Sequence, residues 1–221
     1  MCDARHRVEF LRSHMLSLWV FCAARTLDES PSGFAFHNRP HKEFKMRVLI
    51  AYASRYGATQ GIAERIAAAL HRRHLAPSLQ PVQEAADPSG YDAVIIGSAT
   101  YYFHWMNQAT KFVRHYSGIL ADRPVWLFSS GPLGTKETDE QGRDMRDFLE
   151  PKEIAEFRTI IVPRDHHVFF GAFNPARLGF THRLICKLPA NRDNAMFPPG
   201  DFRNWPEIDA WADNIAQSLR D

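Results

Sequence analysis

The chain has little that would staple it, tether it or charge it strongly. Only three of its 221 residues are cysteine, Cys2, Cys22 and Cys186, and no two are spaced as CxxC. That excludes a disulfide framework and a thiolate metal centre. His166, His167 and His182 lack metal-ligand spacing and read as surface or strand-end residues, so no metal is expected. No stretch reaches the roughly 20 apolar residues that a membrane-crossing helix needs. An excess of one charge is missing too, since 27 Lys and Arg against 25 Asp and Glu leave a formal +2. Without an RNP, helix-turn-helix or zinc-finger pattern, that small charge argues against a nucleic-acid partner. No internal repeat is visible. What remains is 45% hydrophobic and 24% charged, the balance of a globular chain in a reduced cytosolic setting.

The composition changes along the chain. Residues 1–45 hold seven Lys and Arg, five Asp and Glu and two of the cysteines. The remaining 46–221 carry 20 basic and 20 acidic residues and are formally neutral. Met15–Ala24 is a short apolar run resembling a signal-peptide core, but Asp3 and Glu9 precede it and no clear small-x-small cleavage site follows. A Pro, Ser, Gly and His-rich stretch then leads to a second methionine, Met46. Residues 1–45 are therefore expected to be a poorly ordered extension or a misassigned start, and 46–221 the working domain.

From Met46 the pattern is regular. MRVLIAYA (46–53), a stretch near Leu79–Val82, YDAVIIGS (91–98), PVWLFSS (124–130) and HVFFGAF (167–173) read as strands. Between them, Ala58–His74 places Ile62, Ile66 and Leu70 on one helical face. Met106–Tyr116 and Pro151–Ile161 read as further helices, and a last one from Asn204 carries Ile208, Trp211, Ile215 and Leu219. Strands alternating with helices predict an α/β fold with a doubly wound parallel sheet.

In such sheets ligands bind beyond the carboxyl ends of the strands. The first strand runs into Ser54, Arg55, Tyr56, Gly57, Ala58 and Thr59, directly before a helix. Hydroxyls, a permissive glycine and helix-start N–H groups make a phosphate cradle, although a Ser cap with a Gly turn would read the same. The loop is neither GxGxxG nor a lysine-bearing nucleotide-hydrolase loop. The third strand leads to Ala99, Thr100, Tyr101, Tyr102, Phe103, His104 and Trp105, four rings and a histidine in a short loop. Rings beside backbone donors suit a flat heteroaromatic ligand, with one or two expected only to cover the core end. The fourth strand leads to Ser130, Gly131, Pro132, Leu133 and Gly134, whose glycines allow close backbone approach.

Together these residues resemble the flavodoxin-like FMN proteins. Ile50, Tyr52, Ser54, Gly57, Thr59, Ala63 and Ile66 fit the family's N-terminal signature, and Ala51 departs from it at a strand position. The resemblance implies a five-stranded sheet in the order 2-1-3-4-5 and FMN as cofactor. It implies that Ser54–Thr59 hold the phosphate, and that Ala99–Tyr102 with Ser130–Gly134 surround the isoalloxazine ring. A narrower similarity, over His167–Leu188 and Gly200–Trp205, is to menaquinone-dependent protoporphyrinogen dehydrogenases. These carry a long insert, here about 174–203, before the last helix.

From Arg164 to Arg192 five basic residues, Arg164, Arg177, Arg183, Lys187 and Arg192, interleave with aromatic and aliphatic ones against Asp165 alone. A basic amphipathic segment fits a membrane surface, with peripheral contact through 174–192 at the inner face of the cell membrane, or a helix packed on the domain. The leading expectation is an FMN-dependent oxidoreductase passing electrons from a reduced organic donor, such as a porphyrinogen, to a quinone. The alternatives are a flavodoxin-like electron carrier, an NAD(P)H:quinone reductase, or a non-enzymatic binding or signalling module. No general base is evident; His104 is the side chain to test.

Overall fold

The computed structural model describes residues 46–131, 138, 142, 150–174 and 199–221. The extension 1–45, the loop residues Pro132, Leu133 and Gly134, and 175–198 of the expected insert lie outside the described residues. In chain order the elements are β1 (Arg47–Ala53), α1 (Ala58–Arg72), β2 (Ala76–Pro81), β3 (Ala93–Tyr101), β4 (His104–Trp105), α2 (Asn107–His115) and α3 (Ser117–Ala121). There follow β5 (Val125–Ser130), α4 (Glu153–Ile160), β6 (Asp165–Phe169), β7 (Ala172–Phe173), β8 (Gly200–Asp201) and α5 (Trp205–Ser218).

β2, β1, β3, β5 and β6 form one parallel sheet in that order, the arrangement 2-1-3-4-5 when only its parallel strands are counted. β4 pairs antiparallel with β3 at the sheet's end, and β7 with β8 makes a separate two-stranded ribbon. β1, β3 and β5 are apolar at nearly every position because both of their faces are covered. On one face α1 and α5 bury Ile62, Ile66, Leu70, Ile208, Trp211 and Ile215 against Ile50, Ile95 and Phe128. On the other, Phe112, Leu120, Ile154 and Phe157 cover Leu49, Ile96 and Leu127. The helical spacings in the sequence thus point where they were expected to point. α5 starts where the sequence places it, with the Asn204 side chain accepting from the Glu207 N–H and Pro206 in the first turn.

Three strand boundaries differ from the sequence reading, β2 beginning at Ala76 rather than near Leu79. β3 runs three residues past Ser98, so Ala99, Thr100 and Tyr101 belong to a strand rather than a loop. β6 begins at Asp165 and stops at Phe169 instead of spanning 167–173. The polar Asp165-His166-His167 start hides the strand. Asp165 is used internally, accepting from the Trp211 indole N–H at 2.6 Å.

Gly97 in β3 lies under the Phe128 ring, and a Cβ there would sit inside that ring's van der Waals envelope. Phe128 is fully buried and cannot swing into solvent without giving up about 1.5–3 kcal/mol of burial. Gly97→Ala is therefore expected to cost about 1–3 kcal/mol of stability, read as a lower urea midpoint at unchanged m-value.

Candidate functional site

The parallel register brings Ala53, Ser98, Ser129 and Val168 level, so the loops after β1, β3 and β5 share one rim. In the first loop Gly57 takes a left-handed conformation (φ 87°) that a larger residue would strain. Its N–H donates to Ser54 Oγ at 3.1 Å, tightening the turn. α1 then starts at Ala58 with no side-chain cap and no acidic residue in its first turn. Thr59 is fully buried, and its Oγ1 has no hydrogen-bond partner among the described residues. A buried unpaired hydroxyl under an uncapped helix start suits an anion, which the N–H groups and the helix dipole would both favour. Arg55 is exposed, with its guanidinium 5.4 Å from the Tyr56 ring centroid.

The aromatic segment is a tight hairpin. Thr100 faces Trp105 and Tyr101 faces His104, leaving Tyr102 and Phe103 as the two turn residues. Both have positive φ, 50° and 65°, the requirement of a type I′ turn that Asn-Gly ordinarily meets. Left-handed backbone at a bulky residue costs on the order of 1–2 kcal/mol. The turn is held from outside: Glu153 Oε1 is 2.7 Å from His104 Nδ1, and its Oε2 accepts from the Trp105 N–H. The Lys152 N–H donates to the Phe103 carbonyl at 3.0 Å. Burial alone would raise the Glu153 pKa, but the hydrogen bonds from His104 and the Trp105 N–H outweigh it and leave the carboxyl below its ordinary range. Tyr102 and Phe103 stand 86% and 42% exposed, and Trp105 is buried.

Tyr101 has its phenol pushed up to about 12 by burial, with Tyr56 adding to the effect, so it remains a neutral O–H donor at neutral pH. With Arg55, Met106 and Lys111 it lines a cavity of about 410 Å³ between the first two loops. Thr100 Oγ1 is a second buried hydroxyl without a partner among the described residues, close to Gly131. Ser130 is buried at the end of β5, and the Gly131 N–H donates to the Phe169 carbonyl. Ser54–Thr59, Ala99–Tyr102, His104, Ser130 and Gly131 thus all lie along one rim. A phosphate at the α1 start and a flat ring toward the hairpin fit the donors present.

Sequence reasoning missed what lies behind this rim. The Trp105 indole N–H donates to Ser129 Oγ at 2.7 Å, and Ser129 Oγ is 2.8 Å from His166 Nε2. His166 Nδ1 lies 3.1 Å from Glu150 Oε1, and Arg158 grips the same carboxylate with two nitrogens. Read from sequence as a surface or strand-end residue, His166 is at the start of β6 but has a buried side chain. Glu150 and Glu153 carried no signal, because they reach partners 16 and 48 or more residues away. Arg203 was missed as well. It spans Asp201, the Trp205 ring and the Ala58 carbonyl, beside a second cleft of about 850 Å³ along the first turns of α1.

Burial lowers His166 to about 4, against the opposing pull of Glu150. The unfolded chain binds this proton below about 6.5 while the folded one does not. The contribution is therefore complete above about pH 6.5 and is lost as pH falls toward 4, on the order of 2 kcal/mol by pH 4.5. Denaturation at pH 7 and pH 4.5 should show that loss in the wild type and a smaller one in His166→Gln. Equal losses would remove the assignment.

Residues 49–195 match a family model described as a flavodoxin domain. A flavodoxin from the domain Archaea is 14% identical, with 80% of this chain and 100% of that one covered at a TM-score of 0.51. Two-electron-reduced Megasphaera elsdenii flavodoxin is 18% identical over 77% of this chain and 98% of its own, at 0.47. Oxidised Flavodoxin 2 from Bacillus cereus is 19% identical over 79% and 99%, also at 0.47. No curated protein matches the chain. The family match covers more than half of the sequence and the first of these structures has the same fold, so the chain belongs to the flavodoxin domain family, with FMN as its indicated cofactor.

Proposed function

We propose that the protein is an FMN-dependent oxidoreductase that takes electrons from a reduced organic donor of the porphyrinogen type and passes them to a quinone. The observation that carries the cofactor end is the unpartnered Thr59 hydroxyl beneath the uncapped start of α1. Ser54, the turn at Gly57 and the first N–H groups of α1 would hold the phosphate. Thr100, the Tyr101 phenol and the backbone at Ser130 and Gly131 would meet the ring system, together with Pro132–Gly134. FMN, when bound, supplies one- and two-electron transfer that no side chain of the rim can perform. The hairpin would orient the ring and exclude water from one side of it. His104, half-exposed and hydrogen-bonded to Glu153, is the group placed to hold or pass a proton at the rim. For each pair of electrons, two hydrogens leave the donor and the quinone becomes a quinol.

The choice of donor and acceptor is supported by the similarity of His167–Leu188 and Gly200–Trp205 to protoporphyrinogen dehydrogenases, and by the basic, aromatic composition of 164–192. That composition also supports peripheral contact at the cytoplasmic face of the membrane through 174–192. No helix among the described residues is long and apolar enough to cross a membrane. A second reading, a flavodoxin-like carrier or NAD(P)H:quinone reductase, is favoured by the exposed Tyr102 and Phe103 rings, which suit a docking face at the rim.

Thr59→Val removes an unpartnered hydroxyl while keeping its volume, so the apoprotein should lose no stability. FMN affinity measured by flavin fluorescence quenching should fall at least about tenfold, the scale of a hydrogen bond to a charged group. Unchanged affinity would sink the phosphate cradle. Anaerobic turnover of protoporphyrinogen with menaquinone tests the substrates. Bound flavin that NAD(P)H reduces and the porphyrinogen does not would support the quinone reductase instead.

A further inference from the structure

The buried chain behind the rim has the spacing of a catalytic triad. Ser129 Oγ to His166 Nε2 is 2.8 Å, His166 Nδ1 to Glu150 Oε1 is 3.1 Å, and Arg158 holds the carboxylate. Those distances match a nucleophile, its base and the group that orients the base. That reading fails because the Ser129 oxygen, unlike the equally buried Thr59 hydroxyl, is already fully engaged. The same oxygen is occupied from a third side by the Trp105 indole at 2.7 Å.

Hydrogen-bond directions in this chain are fixed by elimination. An indole N–H only donates, so Ser129 Oγ accepts from Trp105. The Glu150 carboxylate only accepts, so His166 Nδ1 must carry a hydrogen and donate to it. In the neutral imidazole that burial favours, Nε2 is then bare and accepts the serine proton.

The two ends of the key bond lie at different strand ends beneath the rim, Trp105 in β4 and Ser129 near the end of β5. Trp105 closes the hairpin that β3 and β4 make, and Ser129 immediately precedes Ser130, the last residue of β5, and Gly131. The Trp105–Ser129 bond is thus a direct tie between the hairpin and the end of β5 that carries Ser130 and Gly131. Trp105 has a fixed ring position, with its centroid 5.3 Å from that of Phe157 in an edge contact. The serine hydroxyl is the part free to rotate, and His166 is the partner that stops it.

We infer that His166 is a positioning residue for the flavin site, orienting the Ser129 hydroxyl so that Trp105 holds the hairpin at a set distance from Ser130 and Gly131 at the end of β5. The inference rests on the FMN reading above. His166 touches no exposed surface of the rim and takes no part in chemistry; it acts through Ser129.

The test compares the full chain carrying His166→Phe, His166→Gln, Ser129→Ala or Trp105→Phe with Ile215→Val, a core change on the opposite face of the sheet. FMN dissociation constant, the visible circular dichroism of bound flavin and the denaturant midpoint are measured on each. His166→Phe, Ser129→Ala and Trp105→Phe should each raise the dissociation constant about tenfold and alter the flavin dichroism. His166→Gln keeps an acceptor for the serine and should stay within about threefold of wild type, with the native dichroism. Ile215→Val should lower the midpoint and leave both flavin readouts unchanged. If His166→Phe does not fold, Ser129→Ala and Trp105→Phe carry the same comparison. Wild-type affinity and dichroism in the two rim variants would overturn the inference, as would Gln failing as badly as Phe or Ile215→Val weakening FMN equally. A wild-type protein that does not bind FMN would instead overturn the cofactor reading, and this inference with it.

Discussion

Burial of the central sheet on both faces is the constraint from which the rest follows. β1, β3 and β5 can offer almost no polar group along their lengths, since helices cover both sides. Chemistry is pushed to the strand ends, where the backbone leaves the sheet and its N–H groups need partners. Parallel pairing then sets those ends level, so three separate loops become one rim. Ser98 shows how sharply the transition is drawn. It is fully buried, yet its hydroxyl accepts from the Met106 N–H and donates to the Ala99 carbonyl, fastening the hairpin to the start of α2.

The rim combines a relaxed part with a strained one. At α1, Gly57 takes its left-handed turn at little cost, and the buried Thr59 hydroxyl has no partner among the described residues. At the hairpin, two aromatic residues sit where small ones would be comfortable. Glu153, Lys152 and the Trp105 indole bond hold that turn from three directions. Strain of this kind persists only where surrounding contacts over-determine the backbone. The carboxylate of Glu153 and the imidazole of His166 do that from opposite sides of Trp105, one on its backbone and one, through Ser129, on its ring.

Much of the fold was legible because the sequence pattern and the physics coincide. Ile62, Ile66 and Leu70 face the sheet as their spacing demands, and so do Ile208, Trp211 and Ile215. Ser54, Gly57 and Thr59 could be singled out because the proposed phosphate cradle is local, with its parts inside six residues. The hairpin was less so: Tyr102 and Phe103 carry no turn signal, and nothing in their chemistry announces a type I′ geometry. Glu150, Glu153, Ser129 and His166 were illegible for a different reason. Their roles exist only after distant segments meet, and a polar residue at a strand start looks like surface until its partner is known.

The β7–β8 ribbon has a consequence of another order. By pairing Ala172 with Asp201 and Phe173 with Gly200, it brings the two ends of a long excursion side by side. The Phe202 N–H to the Gly171 carbonyl extends the closure by another bond. The entropy of closing a loop grows only with the logarithm of its length, so the core is nearly indifferent to how many residues intervene. A domain with such a clasp works as a socket: changing the number of residues between 173 and 200 would alter the closure entropy only slightly and leave the sheet's own pairing untouched.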